Sequence, residues 1–343
     1  MDKSVIFAVA GSGKTTRLIE ELDLESRVLL LTYTDNNFEH LRRRIIQKFG
    51  HFPENITLRT YFSFLHGFCY RPLLQMRLLS RGVNFSMPPV ETARFALTND
   101  ARFIDKSRRL YHNRLAKFLD VKGCMPEVIG RLERYFDRIF VDEVQDLAGQ
   151  DFNFLLNLCA ANVEFLLVGD FYQHTFDTSR DGAVNKGLHD NIVKYERRFK
   201  DRGVSVDRET LLASRRCASA VCDFIRDNLH IDIRPFDDRQ TKVYLINSPD
   251  DAAALHADSA IVKLFYESHY KYGCHSQNWG ASKGLDHFHD VCVVMNGPTW
   301  KNLQQGTLHE SAAMTRNKLY VACSRARGNV FLVPETLFKR YRV

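Results

Sequence analysis

Short apolar runs recur along the chain, separated by segments in which apolar residues follow helical spacing. Runs of about four to eight apolar residues are typical of buried strands. We predict strands at residues 4–10, 27–34, 56–60, 138–141, 165–168, 242–246, 291–295 and 330–333. Helices are predicted at residues 15–21, 37–49 and 62–69, and residues 70–135 are helix-like, interrupted by Pro72, Pro88 and Pro89.

Strands that alternate with helices are typical of α/β folds, in which crossover helices flank parallel sheets. A polar, charged stretch at about residues 178–208 has the composition of a connection between two halves. A chain of 343 residues has room for two domains of about 100–200 residues each. We therefore predict an α/β protein with domains at residues 1–205 and 206–343.

Positive charge is concentrated near the start of the chain. Residues 41–120 hold 15 Lys and Arg against 5 Asp and Glu, a surplus of ten, whereas the whole chain has a net charge of +7. Aromatic residues lie among these cations, and a surface that binds nucleic acid combines both types, for phosphates and for bases. Solvated helix faces over an aromatic core would give the same composition, so charge alone leaves both interpretations open.

Composition also excludes several classes of protein. No apolar run reaches the roughly 18–20 residues of a membrane span, and the start of the chain leads into a glycine loop instead of a signal peptide. Eight cysteines form no CxxC pair, and 13 histidines show no ligand spacing. We predict a reduced, cytoplasmic protein with no membrane partner and no metal beyond Mg²⁺.

A glycine loop follows the first predicted strand and opens a helix, which is the context of a phosphate loop. Its glycines let backbone N–H groups approach phosphate oxygens, and the helix directs its positive dipole end at the same anion. Lys14 can reach the outer phosphates of ATP, and the Thr15 hydroxyl can bind Mg²⁺. The predicted nucleotide-binding residues are Ala10, Gly11, Ser12, Gly13, Lys14, Thr15 and Thr16.

Two adjacent carboxylates, Asp142 and Glu143, follow the strand predicted at residues 138–141, within the sequence DEVQD. Asp142 can hold Mg²⁺ directly or through water, and Glu143 can orient and deprotonate the attacking water. A solvated helix cap is the simpler interpretation of such a pair alone. A phosphate loop upstream favours catalysis of phosphoryl transfer.

DEVQD with GSGKT upstream resembles the UvrD/Rep-type helicases of superfamily 1. Segments that resemble the other family motifs follow in order at residues 32–45, 60–64, 168–173, 212–216, 282–286 and 319–327. The resemblance covers residues 8–327. It implies two RecA-like P-loop lobes with parallel sheets flanked by helices, the first lobe carrying a small, basic helical insert at about residues 70–135.

The resemblance also implies roles for individual residues. Gln173 would sense the γ-phosphate, and Arg216 and Arg325 would act as arginine fingers in catalysis. Gly284 and Asp286 would join the nucleotide site. The residues implied to contact the nucleic acid are Thr32, Thr34, Asn36, Thr60, Phe62, Phe64 and Phe176.

The sequence departs from the family at several points. Small hydroxyl residues at 178–179 replace a second stacking aromatic, and Gly280 replaces a histidine. Trp279 is adjacent to Gly280 and could stack on a base instead. Only about 60 residues separate Arg216 from Ser276, too few for the large second accessory domain of the family. We therefore expect a compact core.

Three functions remain open from these residues. The first is an ATP-dependent helicase or translocase that moves along single-stranded DNA, by resemblance in the 3′ to 5′ direction. The second is a nucleotide-gated ATPase subunit of a larger nucleic-acid-processing or anti-phage defence complex, in which a partner such as a nuclease supplies the grip or the output. The third is an RNA-directed motor of viral type, although DEVQD resembles the DNA group more closely.

Overall fold

The computed structural model describes residues 1–175 and 182–343, which divide into two units. Unit 1 consists of Met1–Phe7, Lys14–Gly169 and residues 182–207, and unit 2 consists of Ala8–Gly13, Asp170–Thr175 and Arg208–Val343. The principal boundary lies two residues after the predicted one. The glycine loop and the segment after Gly169 belong to unit 2, which the linear sequence did not indicate.

Unit 1 contains a six-stranded sheet in which every pair of neighbouring strands is parallel. The strands of unit 1, including two in the insert, are β1 (Lys3–Phe7), β2 (Val28–Thr32), β3 (Ile56–Thr60), β4 (Gly82–Asn84), β5 (Arg109–Tyr111), β6 (Arg138–Val141), β7 (Glu164–Gly169) and β8 (Ser205–Asp207). The order in the six-stranded sheet is β3-β2-β6-β7-β1-β8. Because all strands point the same way, the residues that follow β1, β6 and β7 emerge at one edge.

The helices of unit 1 connect these parallel strands. They are α1 (Lys14–Glu20), α2 (Asp35–Phe49), α3 (Tyr61–Ser63), a π-helical segment (Phe64–Gln75), α4 (Met76–Leu78), α5 (Leu115–Val121), α6 (Met125–Tyr135), α7 (Gly149–Leu158) and α8 (Ile192–Lys200). The π-helical segment passes through Pro72, where we had predicted an interruption. Proline has no N–H to donate, and the wider π spacing accommodates this loss.

The insert is less helical than predicted. Between α4 and α5 the chain forms turns, short 3₁₀ helices and the parallel pair β4–β5. Pro88 and Pro89 lie in this part, and consecutive prolines disfavour helix because each lacks an N–H and restricts the residue before it. The prediction of helix throughout residues 70–135 is therefore wrong for residues 79–114.

Unit 2 contains a second parallel sheet, of five strands in the order β11-β15-β14-β12-β13. Its strands are β9 (Ala213–Ser214), β10 (Arg234–Pro235), β11 (Val243–Leu245), β12 (Val262–Phe265), β13 (Ser276–Asn278), β14 (Val291–Met295) and β15 (Val330–Pro334), with β9 and β10 forming a separate pair. Its helices are α9 (Ser219–Leu229), α10 (Pro249–Ala257), α11 (Gly297–Gln305), α12 (Ala313–Cys323) and α13 (Glu335–Phe338).

Helices cover both faces of the second sheet. Val291 and Val293 of β14 belong to a core with α9 and α12, whereas Cys292 and Val294 belong to a core with α10 and α13. This alternation follows from the two-residue period of a strand. Parallel sheets flanked by helices confirm the predicted α/β class and its RecA-like lobes.

Two sequence predictions about composition can be compared with the structure. All eight cysteines are free thiols, and seven of them are buried. Over residues 1–175 and 182–343, every helix is too short or too polar to cross a membrane.

Candidate functional site

The glycine loop lies between β1 and α1, and its geometry explains the choice of residue. Gly11 and Gly13 have φ values of 72° and 96°, in the left-handed region that favours glycine. A Cβ atom on Gly11 would lie 2.6 Å from the Cβ of Arg216 and 3.0 Å from the Oγ of Ser214. Gly11 therefore satisfies two requirements, a left-handed backbone and close contact with the segment that carries Arg216.

Hydrogen bonds between described residues hold the loop within unit 2, and one of them runs from the Val9 amide to the Leu211 carbonyl at 3.0 Å. The Ser214 hydroxyl donates to the Ala10 carbonyl at 2.7 Å, and the Arg215 amide donates to the Gly11 carbonyl at 2.9 Å. The Ala10 amide donates to the Tyr320 hydroxyl at 2.8 Å. An amide has one proton to donate, so Ala10 does not offer its N–H to a phosphate. The assignment of Ala10 as a nucleotide ligand is corrected on this point.

Lys14 opens helix α1 in unit 1 and is only 7% exposed. Within the described parts of the chain, its ammonium has no carboxylate or hydrogen-bond partner. A cation on a largely buried side chain favours an anion as its partner, and a phosphate would supply one. Thr15 is half-buried beside it. The Thr16 hydroxyl instead accepts a hydrogen bond from Arg44 at 3.0 Å.

Asp142 and Glu143 follow β6, at the edge of the sheet where β1 also ends. Asp142 is buried, and its Oδ1 accepts the Glu143 amide at 3.0 Å. Glu143 has a φ of 56°, which costs a residue with a Cβ of the order of 1–2 kcal/mol. Such strained residues cluster at functional sites.

Gln145 also belongs to this site, although its sequence context predicted no role for it. Its side chain is fully buried, and its Nε2 donates to the Glu143 carboxylate. A Cβ on Gly169 would meet the Gln145 side chain at 2.4 Å, so glycine at the end of β7 makes room for this amide. The polar residues of DEVQD were the available signal in the sequence.

Gln173 ends a 3₁₀ turn, Phe171–Gln173, that belongs to unit 2. Asp170 caps this turn, since its Oδ1 accepts the Tyr172 amide at 3.1 Å. Its Oδ2 accepts a hydrogen bond from the Tyr320 hydroxyl at 2.8 Å. Gln173 is 4% exposed, and the turn holds it in a defined position.

Arg216 and Arg325 meet at one carboxylate in unit 2, that of Asp286. Arg216 donates to Asp286 Oδ1, and Arg325 Nη1 lies 3.4 Å from the same oxygen. The pKa of Arg325 is lowered to about 10, because burial and then the charge of Arg216 lower it while Asp286 opposes both effects. The two predicted fingers and a predicted nucleotide residue therefore form one cluster. Gly284, two residues before Asp286, has a φ of 81° and no atom within 4 Å of the position that a Cβ would occupy.

The residues predicted to contact nucleic acid fall into different environments. Thr34 and Thr60 cap α2 and α3, because their hydroxyls accept the amides of Asn37 and Ser63 at 3.2 Å. Asn36 is exposed on the first turn of α2.

Three of these residues are buried, and Thr32 is one of them. Thr32 is 1% exposed, and its hydroxyl has no hydrogen-bond partner in the described structure. Phe64 and Trp279 are fully buried, and Trp279 Nε1 donates to the Leu264 carbonyl. Side chains enclosed in a core do not stack on bases or reach phosphates, so in this structure the side chains of Thr32, Phe64 and Trp279 are not placed for the predicted contacts. Phe176 lies outside the described residues.

Phe62 has a different position from Phe64. It is half-buried, its ring stacks on His66 with centroids 5.9 Å apart, and it lies 5.3 Å from the ring of Phe85. Phe85 is 65% exposed and lies 5.3 Å from the ring of His112. Phe62 and Phe85 of the insert therefore form part of an accessible aromatic surface on unit 1.

The residues present fit a nucleotide with magnesium. Among residues 1–175 and 182–343, no group of three His, Cys, Asp or Glu side chains could hold a metal ion. Magnesium in nucleotide sites needs only one or two protein ligands, because phosphates and water supply the others. Thr15 and Asp142 are oxygen donors of this kind, and the buried ammonium of Lys14 suits a phosphate.

Comparisons with solved structures identify the fold. The chain is similar to arterivirus nonstructural protein 10, a helicase, in a complex with DNA, with a TM-score of 0.53, 17% identity and coverage of 98% of this chain and 63% of that chain. It is also similar to a crystal structure of arterivirus nonstructural protein 10, with a TM-score of 0.52, 17% identity and coverage of 98% and 62%. This chain thus spans less than two thirds of the length of these helicases.

The similarity shows that this chain shares the fold of these helicases. It does not bear on the resemblance to the UvrD/Rep type. No protein-family model matches the sequence, and no curated protein does.

Proposed function

We propose that this protein is an ATP hydrolase that uses ATP to move along single-stranded nucleic acid, and that it is a helicase or translocase of superfamily 1. The observation that carries the proposal is the contact of Gly11 with Arg216 in unit 2. Arg216 is the arginine that we propose for catalysis, and Gly11 belongs to the loop that we propose for phosphate binding. The two residues are in contact although about 200 residues separate them in the sequence.

Each residue of the site would have a definite task. Lys14 and the amides of Gly11 to Thr16 would bind the phosphates, and Thr15 and Asp142 would hold Mg²⁺. Magnesium, when bound, would neutralise charge on the phosphates. Glu143, oriented by Gln145, would take the proton of the attacking water.

The arginines would act on the charge that develops during phosphoryl transfer. The guanidinium groups of Arg216 and Arg325 are cations. Positive charge near the transferred phosphoryl group is the main source of catalysis in this reaction. In the structure both cations pair with Asp286. We propose that nucleotide binding and hydrolysis change this pairing, and that the change moves the two lobes.

DNA is the nucleic acid that we propose, since the motif DEVQD resembles the DNA group and one similar helicase is described in complex with DNA. The strand would contact Asn36, Phe62 and the basic segment at residues 41–120. We propose movement in the 3′ to 5′ direction, as in the UvrD/Rep type.

Strand-dependent ATP turnover tests the proposal. We expect the purified chain to hydrolyse ATP slowly alone and faster with single-stranded DNA, with less stimulation as salt rises, because salt weakens phosphate contacts. Lys14→Ala is the control and should abolish turnover by removing the phosphate contact. Turnover that does not respond to DNA or RNA at any salt concentration would contradict a motor.

A second proposal is an ATPase subunit of a larger complex, with a protein partner such as a nuclease. It is favoured by apolar side chains on the insert that are 61–82% exposed, namely Met76, Leu79, Phe85, Met87 and Val90. Exposed apolar patches often mark interfaces. A strand-separation assay on the lone chain distinguishes the two proposals, because processive unwinding without any partner would argue against the second.

A further inference from the structure

Tyr320 lies in the middle of α12 and is completely buried. Its hydroxyl accepts the amide N–H of Ala10 at 2.8 Å and donates to Asp170 Oδ2 at 2.8 Å. Burial, followed by the charge of Asp170, raises the pKa of Tyr320 well above its ordinary value. The hydroxyl therefore keeps its proton and donates to the carboxylate throughout the neutral range.

This hydroxyl joins two parts of the proposed ATP site. Ala10 is the residue before Gly11 in the glycine loop, so its amide sets the path of the loop. Asp170 caps the turn that ends at Gln173 by accepting the Tyr172 amide at 3.1 Å. The Tyr320 hydroxyl thus hydrogen-bonds directly to both segments, to Ala10 of the glycine loop and to Asp170 of the Gln173 turn.

Helix α12 supports the same turn at two further points. Asn317 Nδ2 donates to the His174 carbonyl at 3.1 Å, and the Arg316 guanidinium lies 5.6 Å from the centroid of the Tyr172 ring. At its other end α12 stops at Cys323, two residues before Arg325. The helix that carries Tyr320 therefore contacts the Gln173 turn near its start and leads to a proposed arginine finger at its end.

We infer that Tyr320 is a positioning residue for ATP hydrolysis, whose hydroxyl holds the glycine loop and the Gln173 turn in register on helix α12. This inference rests on the proposed function, because it concerns turnover at that site. The ring has a separate role in the core next to Tyr172, at 6.1 Å between centroids. Removal of the hydroxyl alone therefore separates positioning from packing.

Tyr320→Phe tests the inference, with Tyr272→Phe as a matched control. Tyr272 is also a buried tyrosine of unit 2, and its hydroxyl donates to a carboxylate, Glu335, at 2.5 Å, but it belongs to the other core. We expect Tyr320→Phe to lower kcat about tenfold, as loss of an oriented hydrogen bond to a charged group allows, while KM for ATP changes less than about threefold. Tyr272→Phe should leave kcat unchanged.

A double-mutant cycle with Gln173→Ala distinguishes positioning from general weakening of the fold. If Tyr320 acts through the Gln173 turn, Tyr320→Phe should slow the Gln173→Ala enzyme by less than about twofold. Asp170→Asn keeps the shape of the side chain, and it should likewise slow the Gln173→Ala enzyme by less than about twofold. If Tyr320→Phe does not fold, Asp170→Asn provides the test instead.

Two results would overturn the inference. The first is a kcat for Tyr320→Phe within twofold of the wild-type value, and the second is full additivity with Gln173→Ala. Wild-type protein that hydrolyses no ATP would instead refute the proposed function, and the inference about Tyr320 with it. The wild-type measurement therefore tells which of the two has failed.

Discussion

The Nη1 atom of Arg325 lies 3.4 Å from Oδ1 of Asp286, and Arg216 donates to the same oxygen. Arg325 is buried, with only 2% of its side chain accessible, whereas Asp286 is 55% exposed. Two guanidinium groups thus share one carboxylate at the surface of unit 2. Because like charges repel and a buried cation needs a counter-charge, Asp286 holds the pair together.

Asp286→Asn should lower the free energy of unfolding by about 1–3 kcal/mol, because it leaves two neighbouring cations without a counter-charge. Inorganic phosphate should raise the melting temperature more in the variant than in the wild type, since the anion can replace the carboxylate. Thermal unfolding at low and high phosphate measures both effects. The control Asp223→Asn removes an exposed ion pair with Arg226 and should change stability by less than about 1 kcal/mol.

Gly11→Ala should weaken nucleotide binding and destabilise the fold, because its Cβ would meet Arg216 Cβ at 2.6 Å. Gly50→Ala is the matched control. Gly50 has a similar φ of 79° but no atom within 4 Å of its Cβ position, so it shows only the strain of the left-handed backbone, about 1–2 kcal/mol. Denaturant unfolding and nucleotide titration compare the variants. If Gly11→Ala and Gly50→Ala lost the same stability and the same nucleotide affinity, the contact of Gly11 with Arg216 would be unimportant.

Glu143→Gln should keep ATP binding and lower turnover about 10²–10⁴-fold, because an amide cannot accept the proton of water. Single-turnover hydrolysis with a separate binding assay distinguishes the two steps. Glu164→Gln makes the same change at the first residue of β7, at the opposite edge of the sheet, and should hydrolyse ATP normally. Rapid hydrolysis by Glu143→Gln would place the base elsewhere.

Phe62→Ala should weaken binding of single-stranded DNA by about 1–3 kcal/mol, the usual contribution of one stacked base. Fluorescence anisotropy at a fixed salt concentration measures the change. Phe64→Ala, two residues away, removes a fully buried side chain and should instead cost about 3–5 kcal/mol of stability. If the two variants bind DNA equally at a temperature where both are folded, Phe62 is not part of the interface.

Local pattern was enough to predict the strands next to the proposed chemistry. Residues 56–60, 138–141 and 291–295 are strands with the predicted bounds. The second and third are mostly apolar runs, whereas residues 56–60 alternate apolar Ile56 and Leu58 with polar residues. The strands that were missed are β4, β5, β8, β9, β10, β12 and β13. β13 is formed by Ser276–Asn278, three polar residues whose pairing depends on neighbouring strands, so no local pattern marks it.

The sequence by itself determined the chemistry available to this protein, because the residue types and short spacings of a phosphate loop and an acidic pair are local properties. Only the tertiary structure decided which residues meet. The contact of Gly11 with Arg216, the link from Ala10 through Tyr320 to Asp170, and the burial of Trp279 all join residues distant in sequence. Such contacts depend on how whole elements pack, and residue spacing carries no information about that.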